Sequence, residues 1–197
     1  MDLSTDPAVP DRATAPQFSD SAPGSATPDI LCAGLDLVFA CPFNSQPHGA
    51  ETMFANAGNR FWPTAHEAGL IPRRYSANTI SRLPEIGMGV LFLPSVDRDA
   101  GTSGKAKVSA RDITQFNDKL LRFRPRACAF VGKHSASIWL QRSPARLQYG
   151  RQPQRRDGIG CEIFVLPPTM TSARRYWNAE PWHQLASWIV DTRPWRF

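Results

Sequence analysis

Apolar positions along the chain fall into short continuous runs separated by longer periodic stretches. The run Leu35-Asp36-Leu37-Val38-Phe39-Ala40-Cys41 has the length and composition of a strand buried on both faces. Residues 126–131 and 162–166 share that character, and 90–93 predicts a fourth strand. Between the strands the period changes to that of a helix. Over 109–123, Ile113, Phe116, Leu120 and Phe123 fall on one face, Ser109 stands where a cap is needed, and Asp112 follows three residues later. Pro125 then ends the helix. A helix over 181–190 places Trp182, Leu185, Ala186 and Ile189 on one side. Another over 60–68 tolerates Pro63 because it falls in the first turn. Strands alternating with helices predict a three-layer α/β/α sandwich around a mainly parallel sheet.

Composition narrows the picture. The 197 residues are 42% hydrophobic, enough for a proper core, and their number suits one domain. No apolar run approaches the roughly 20 residues of a membrane span, and no charged-then-apolar leader opens the chain, so the expectation is a soluble, intracellular protein. Cys32, Cys41, Cys128 and Cys161 are far apart and form no C-x-x-C pair, which argues for reduced, mostly buried thiols over a zinc site or disulfide framework. The net charge is +6, and it is unevenly spread. Residues 1–28 hold five prolines and four aspartates against one arginine, the composition of a disordered tail. Their charge of −3 leaves 29–197, read as the folded domain, at +9. A basic body favours a polyanionic partner.

In folds of this class, ligands sit beyond the carboxyl ends of the strands, which directs attention to the loops 42–58, 132–135 and 167–176. In the first, the amide of Asn44 can position a water or simply make an Asx turn, and Phe54 can stack a planar ligand or pack in the core. In the second, Gly132-Lys133-His134-Ser135 opens a helix and suits a phosphate, although the long glycine-rich stretch of a P-loop is missing. The third, with Thr169, Thr171, Ser172, Arg174, Arg175 and Tyr176, combines hydroxyls and guanidinium groups that suit a nucleic-acid backbone or a solvated surface. Arg151, Arg155 and Arg156 add a second basic stretch. Other chemistries lack their motifs: there is no G-x-S-x-G, no H-E-x-x-H and no G-x-G-x-x-G, and the four histidines have no metal-ligand spacing.

Read together, these loops carry a resemblance. Pro28-Asp29-Ile30-Leu31, Gly34-Leu35-Asp36, Gly58-Asn59-Arg60-Phe61-Trp62, Gly87-Met88-Gly89, Arg124-Pro125-Arg126, Gly132-Lys133, Tyr149-Gly150, Val165-Leu166-Pro167 and Ser172-Ala173-Arg174 occur in an order and spacing that covers nearly all of 28–190. The body resembles the mismatch-specific uracil/thymine DNA glycosylases, the second family of the uracil-DNA glycosylase superfamily. That resemblance implies the uracil-DNA glycosylase fold and a monofunctional, cofactor-free and metal-free monomer. Such an enzyme flips a deaminated pyrimidine out of a G·U or G·T mispair in double-stranded DNA and hydrolyses its glycosidic bond in base excision repair. It implies that Phe54 stacks on the extruded base, that Arg174 with Ser172 and Ala173 fills the vacated space, and that Gly132 and Lys133 lie near the DNA backbone. The disordered leader suggests a nuclear location, or the cytoplasm or nucleoid in a bacterium.

The motif after the first strand departs from the family. Where the family reads Gly-Ile-Asn-Pro-Gly, its Asn holding the attacking water, this chain aligned without a gap from Asp36 reads Cys41-Pro42-Phe43-Asn44-Ser45. Phe43 stands in the place of the amide, and Asn44 comes one residue later. A one-residue slip turns a side chain to the opposite face of an extended chain, while a bulge at Pro42 would return Asn44 to the water site. Asn44 is therefore the expected catalytic residue, with Phe43 and Cys41 beside the base. Two other readings stay open at this stage: a catalytically impaired relative that binds mismatched or damaged duplex without excising a base, and a nucleotide-binding module with its phosphate site at Gly132-Lys133.

Overall fold

Strand β1, Leu37–Pro42, has no solvent-facing side until its last residue: Leu37 to Cys41 are all buried. In the computed structural model the described residues are 29–42, 54–55, 57–93, 108–153 and 156–193, without the side chain of Tyr176. The segment 1–28 lies outside them, as do Phe43 and Asn44. After β1 the chain forms helix α1 (Phe61–Glu67), a 3₁₀ segment (Ala77–Ile86) and β2 (Met88–Leu93). Helix α2 (Ala110–Phe123), β3 (Ala127–Val131) and helix α3 (Lys133–Trp139) follow. A short 3₁₀ turn (Pro144–Arg146), β4 (Gly150–Arg151), β5 (Glu162–Leu166), a 3₁₀ turn (Thr171–Tyr176) and helix α4 (Glu180–Asp191) complete the order.

The strands form one sheet in the order β2-β1-β3-β5-β4. The first four are parallel, and the two-residue β4 runs antiparallel to β5 at one edge. Alternate side chains divide between two cores, as the pleat requires. Leu37, Phe39 and Cys41 pack with Phe61 and Ala65 of α1, Leu83 of the long 3₁₀ segment, and Trp182, Leu185 and Ile189 of α4. Val38, Ala40, Leu91 and Leu93 pack with Phe116 and Leu120 of α2 and Ala136 and Trp139 of α3. The result is the expected three-layer α/β/α sandwich.

Local chemistry explains the boundaries. Ser109 caps α2 through a reciprocal pair of bonds: the Asp112 N–H donates to Ser109 Oγ at 3.1 Å, and the Ser109 N–H donates to Asp112 Oδ2 at 2.8 Å. Strand β2 begins two residues earlier than the apolar pattern indicates because Met88 and Gly89 pair with Leu37 and Val38 of β1, while Ile30 approaches Val90 from the other side as an isolated antiparallel bridge. That approach requires Gly89, where a Cβ would lie 2.3 Å from the Ile30 carbonyl oxygen.

At the amino ends of the strands, Asp36 is buried between two arginines. Its oxygens accept from Arg126 Nη1 and Arg193 Nη2, both at 2.8 Å. Burial alone would push this carboxyl up, but the bonds and charges of Arg126 and Arg193 outweigh it and hold the group below the ordinary aspartate range. A groove of about 940 Å³ opens beside it, lined by residues including Cys32, Glu85, Val190 and Arg193. Its two carboxylates are both ion-paired, Glu85 with Arg82. No described helix is long and apolar enough to cross a membrane.

Candidate active site

The parallel strands deliver their carboxyl ends, Pro42, Leu93, Val131 and Leu166, to the edge opposite Asp36. The chain leaves β1 toward β2 on one side and then crosses to β3 on the other. The crevice between β1 and β3 is therefore the topological switch point, where ligands of doubly wound sheets bind. Asn44 and Phe43, the residues that follow β1 there, lie outside the described residues.

A column of aromatic rings rises from the core to this edge. Phe39 of β1 meets the fully buried Phe61 edge-to-face, with centroids 5.0 Å apart. Phe61 carries Phe54 in a parallel stack, at 3.7 Å and an interplanar angle of 7°. Trp182 and Trp62 close the sides of Phe61 at 5.8 and 5.0 Å, both near-perpendicular. Phe54 is half-buried and forms the outer ring of the column. Its backbone lies in the left-handed region at φ 62°, a conformation that costs a non-glycine residue about 1–3 kcal/mol and clusters at functional sites. The expected base-stacking residue is thus a ring supported from below by a second ring.

Two further contacts fasten this loop to the one after β5. The Arg60 N–H donates to the Thr169 carbonyl oxygen at 2.9 Å, and the Arg60 guanidinium lies over the Trp177 ring at 5.0 Å. Gly58, at φ +83°, packs so closely that a Cβ there would stand 2.7 Å from Thr171 Oγ1. The structure therefore brings Phe54 together with the loop that holds Ser172, Ala173 and Arg174. Ser172 and Arg174 are exposed, and Ala173 is half-buried with its N–H donated to the Met170 carbonyl at 3.0 Å.

Gly132 and Lys133 follow β3. The Gly132 N–H donates to the Leu166 carbonyl at 2.9 Å, tying the end of β3 to that of β5. The Lys133 ammonium rests 4.5 Å from the centre of the Tyr149 ring, and Ser135 is buried. The Gly132 N–H that the nucleotide-binding alternative needs for phosphate is thus already engaged. Cys41 is buried in the aromatic core, its Sγ 4.0 Å from the Phe39 carbonyl. Burial pushes its thiol far above the usual range, so it is a neutral wall.

Pattern reading missed four contributors: Phe61, Trp62, Arg60 and Trp177. The compact Asn59-Arg60-Phe61-Trp62 string was the only sequence signal for the first three, and it reads equally well as the start of an amphipathic helix; Trp177 had none. Asn59 does serve that start, its Oδ1 accepting from the Phe61 N–H at 2.9 Å.

Within the three segments that hold these residues the described charge is positive, with Glu180 of α4 just beyond the third. Among the described residues of 54–62, 131–139 and 167–179 there are Arg60, Lys133, Arg174 and Arg175 and no aspartate or glutamate. A surface of this kind suits a polyanion. A family model described as the uracil DNA glycosylase superfamily matches residues 38–189, from β1 to α4. The match takes in the aromatic column, both clamped loops and the switch point, and the chain belongs to the uracil DNA glycosylase superfamily, a group of enzymes that hydrolyse the bond between base and sugar in DNA.

Proposed function

We propose that this chain is a monofunctional glycosylase that removes uracil, and thymine, from G·U and G·T mispairs in duplex DNA. The observation that carries the reading is the Phe54–Phe61 stack, fastened beside the loop of Arg174. Extruding a nucleotide costs a few kcal/mol, least at a mispair, so the pairing defect itself contributes to selection. Phe54 takes one face of the extruded pyrimidine, with Cys41 and Phe43 beside it. Arg174, Ser172 and Ala173 enter the space that the base has left, and Gly132 and Lys133 lie along the backbone. Asn44 holds a water against the sugar C1′. The water oxygen bonds to C1′ as the C1′–N bond breaks; the base leaves with that electron pair, and the water gives up a proton.

Incubating the protein with a G·U duplex and then cleaving abasic sites with alkali tests this directly. Strand scission that Asn44→Ala abolishes supports the reading; scission no greater than that variant gives overturns it. One observation favours a second reading, a relative that binds mismatched duplex without excision: Phe43, not Asn44, falls on the family's amide position. That reading predicts salt-sensitive binding with no base release.

A further inference from the structure

The Lys133 ammonium lies over the Tyr149 ring, 4.5 Å from its centre, at the carboxyl edge of the sheet. Gly132 places Lys133 there by donating its N–H to the Leu166 carbonyl. Gly150 pairs with Val165, so Tyr149 stands beside the end of the same strand. We infer that Tyr149 is a positioning residue, whose ring presents the Lys133 ammonium to a phosphate of the DNA backbone. The inference rests on the DNA-directed reading above, which sets Lys133 along the backbone, and it adds a residue to which that reading gives no role.

The ring is held from behind. Gln152, only 4% exposed, donates from its side-chain Nε2 to the carbonyls of Gln148 and Gly150, each at 2.9 Å. Those residues stand on either side of Tyr149, so the backbone that carries the ring is fixed on both flanks. Tyr149 itself is half-buried and packs against the core that holds Trp139 and Leu147. A lysine side chain is rich in rotamers, and ordering it before DNA arrives removes that cost from binding. A π face attracts the cation without neutralising it, as a carboxylate would. Among the described residues no carboxylate pairs with Lys133. Its charge, and the ammonium donors not turned to the ring, therefore remain for phosphate oxygens.

The test uses the full chain and an end-labelled duplex with a G·U mispair, anisotropy reporting affinity at low salt. Tyr149→Leu keeps apolar packing but removes the π face, and should weaken binding about two- to fivefold; Tyr149→Phe should bind as the wild type does. With Lys133→Ala already in place, Tyr149→Leu should cost nothing further, because the ring acts only through that lysine. An unchanged affinity in Tyr149→Leu overturns the inference, and so does a loss equally large with and without Lys133. The Lys133 Cε protons give a reading on the wild type itself, whatever the variants' folding: the ring shifts their NMR signal upfield, and the shift should persist at saturation with duplex. Its disappearance on binding overturns the inference. All three failures leave the DNA-directed reading standing, whereas failure of the wild type to bind duplex at all overturns both.

Discussion

The Arg60 guanidinium lies 5.0 Å above the Trp177 ring, while its own backbone N–H holds the Thr169 carbonyl. One residue thus joins the loop of Phe54 to the loop of Arg174 through two different kinds of contact. An exposed cation–π pair contributes about 0.5–1 kcal/mol. Arg60→Ala should lower unfolding stability by about that amount, because the backbone bond survives the substitution. A double-mutant cycle with Trp177→Leu in urea isolates the pair, and a coupling energy near zero would show that the contact carries no free energy.

Gly58 makes the same junction sterically. An added Cβ meets Thr171 Oγ1 at 2.7 Å, and φ of +83° is strained for any side chain. Gly58→Ala should destabilise the fold by about 1–3 kcal/mol. Combining it with Thr171→Ala relieves the clash but not the dihedral strain, so the double variant should recover only part of the loss. Full recovery in a denaturant titration would place the whole cost on the clash.

The strands were readable because their burial is local: an uninterrupted apolar run is what a strand covered on both faces requires. The two-residue β4 has no such run, and its pairing depends on β5. The Ala77–Ile86 segment buries Ala77, Ile80 and Leu83 at a spacing of three, the 3₁₀ period, and contains Pro84, so a search at 3.6 residues passes over it. At the site, motif order alone singled out Phe54 and Arg174 as candidates. Phe61 was legible only as the start of a helix and part of a motif; that it supports Phe54 depends on a loop folding back over it. Asp36 looked like a polar interruption in an apolar run. Its partners, Arg126 and Arg193, are 90 and 157 residues away in sequence, beyond any local pattern.

That hub makes stability depend on pH in one direction. Asp36 has a lower pKa folded than unfolded, so its contribution is complete above the ordinary aspartate value of about 3.9 and fades as pH falls through the depressed one. Asp36→Asn should cost about 2–3 kcal/mol at neutral pH by leaving Arg126 and Arg193 without their shared anion. The gap between variant and wild type should close in acid. Parallel stability curves from pH 7 down to pH 2 would contradict the assignment.

On DNA, Lys133 predicts a measurable electrostatic signature. Each phosphate neutralised on duplex DNA contributes about −0.9 to the slope of log affinity against log salt. Lys133→Ala should make that slope shallower by about one such unit and weaken binding to matched and mispaired duplex alike. An unchanged slope would remove Lys133 from the backbone contacts.

Phe54 separates support from chemistry. Stacking on a base contributes about 1–3 kcal/mol, so Phe54→Ala should slow single-turnover excision of uracil by about 10- to 100-fold if the ring carries the extruded base. The substitution also removes the Phe54–Phe61 stack, and a loss of stability by itself would reduce the active fraction. Phe54→Trp keeps a π face on Phe61 and offers one to the base, and should retain most of the rate. Phe61→Leu removes only the lower ring: Phe54 keeps its identity but loses its platform, so excision should fall by less than in Phe54→Ala. That order of rates, measured at matched folded fraction, identifies Phe54 as the ring that meets the base. The reverse order would assign Phe54 to the core alone.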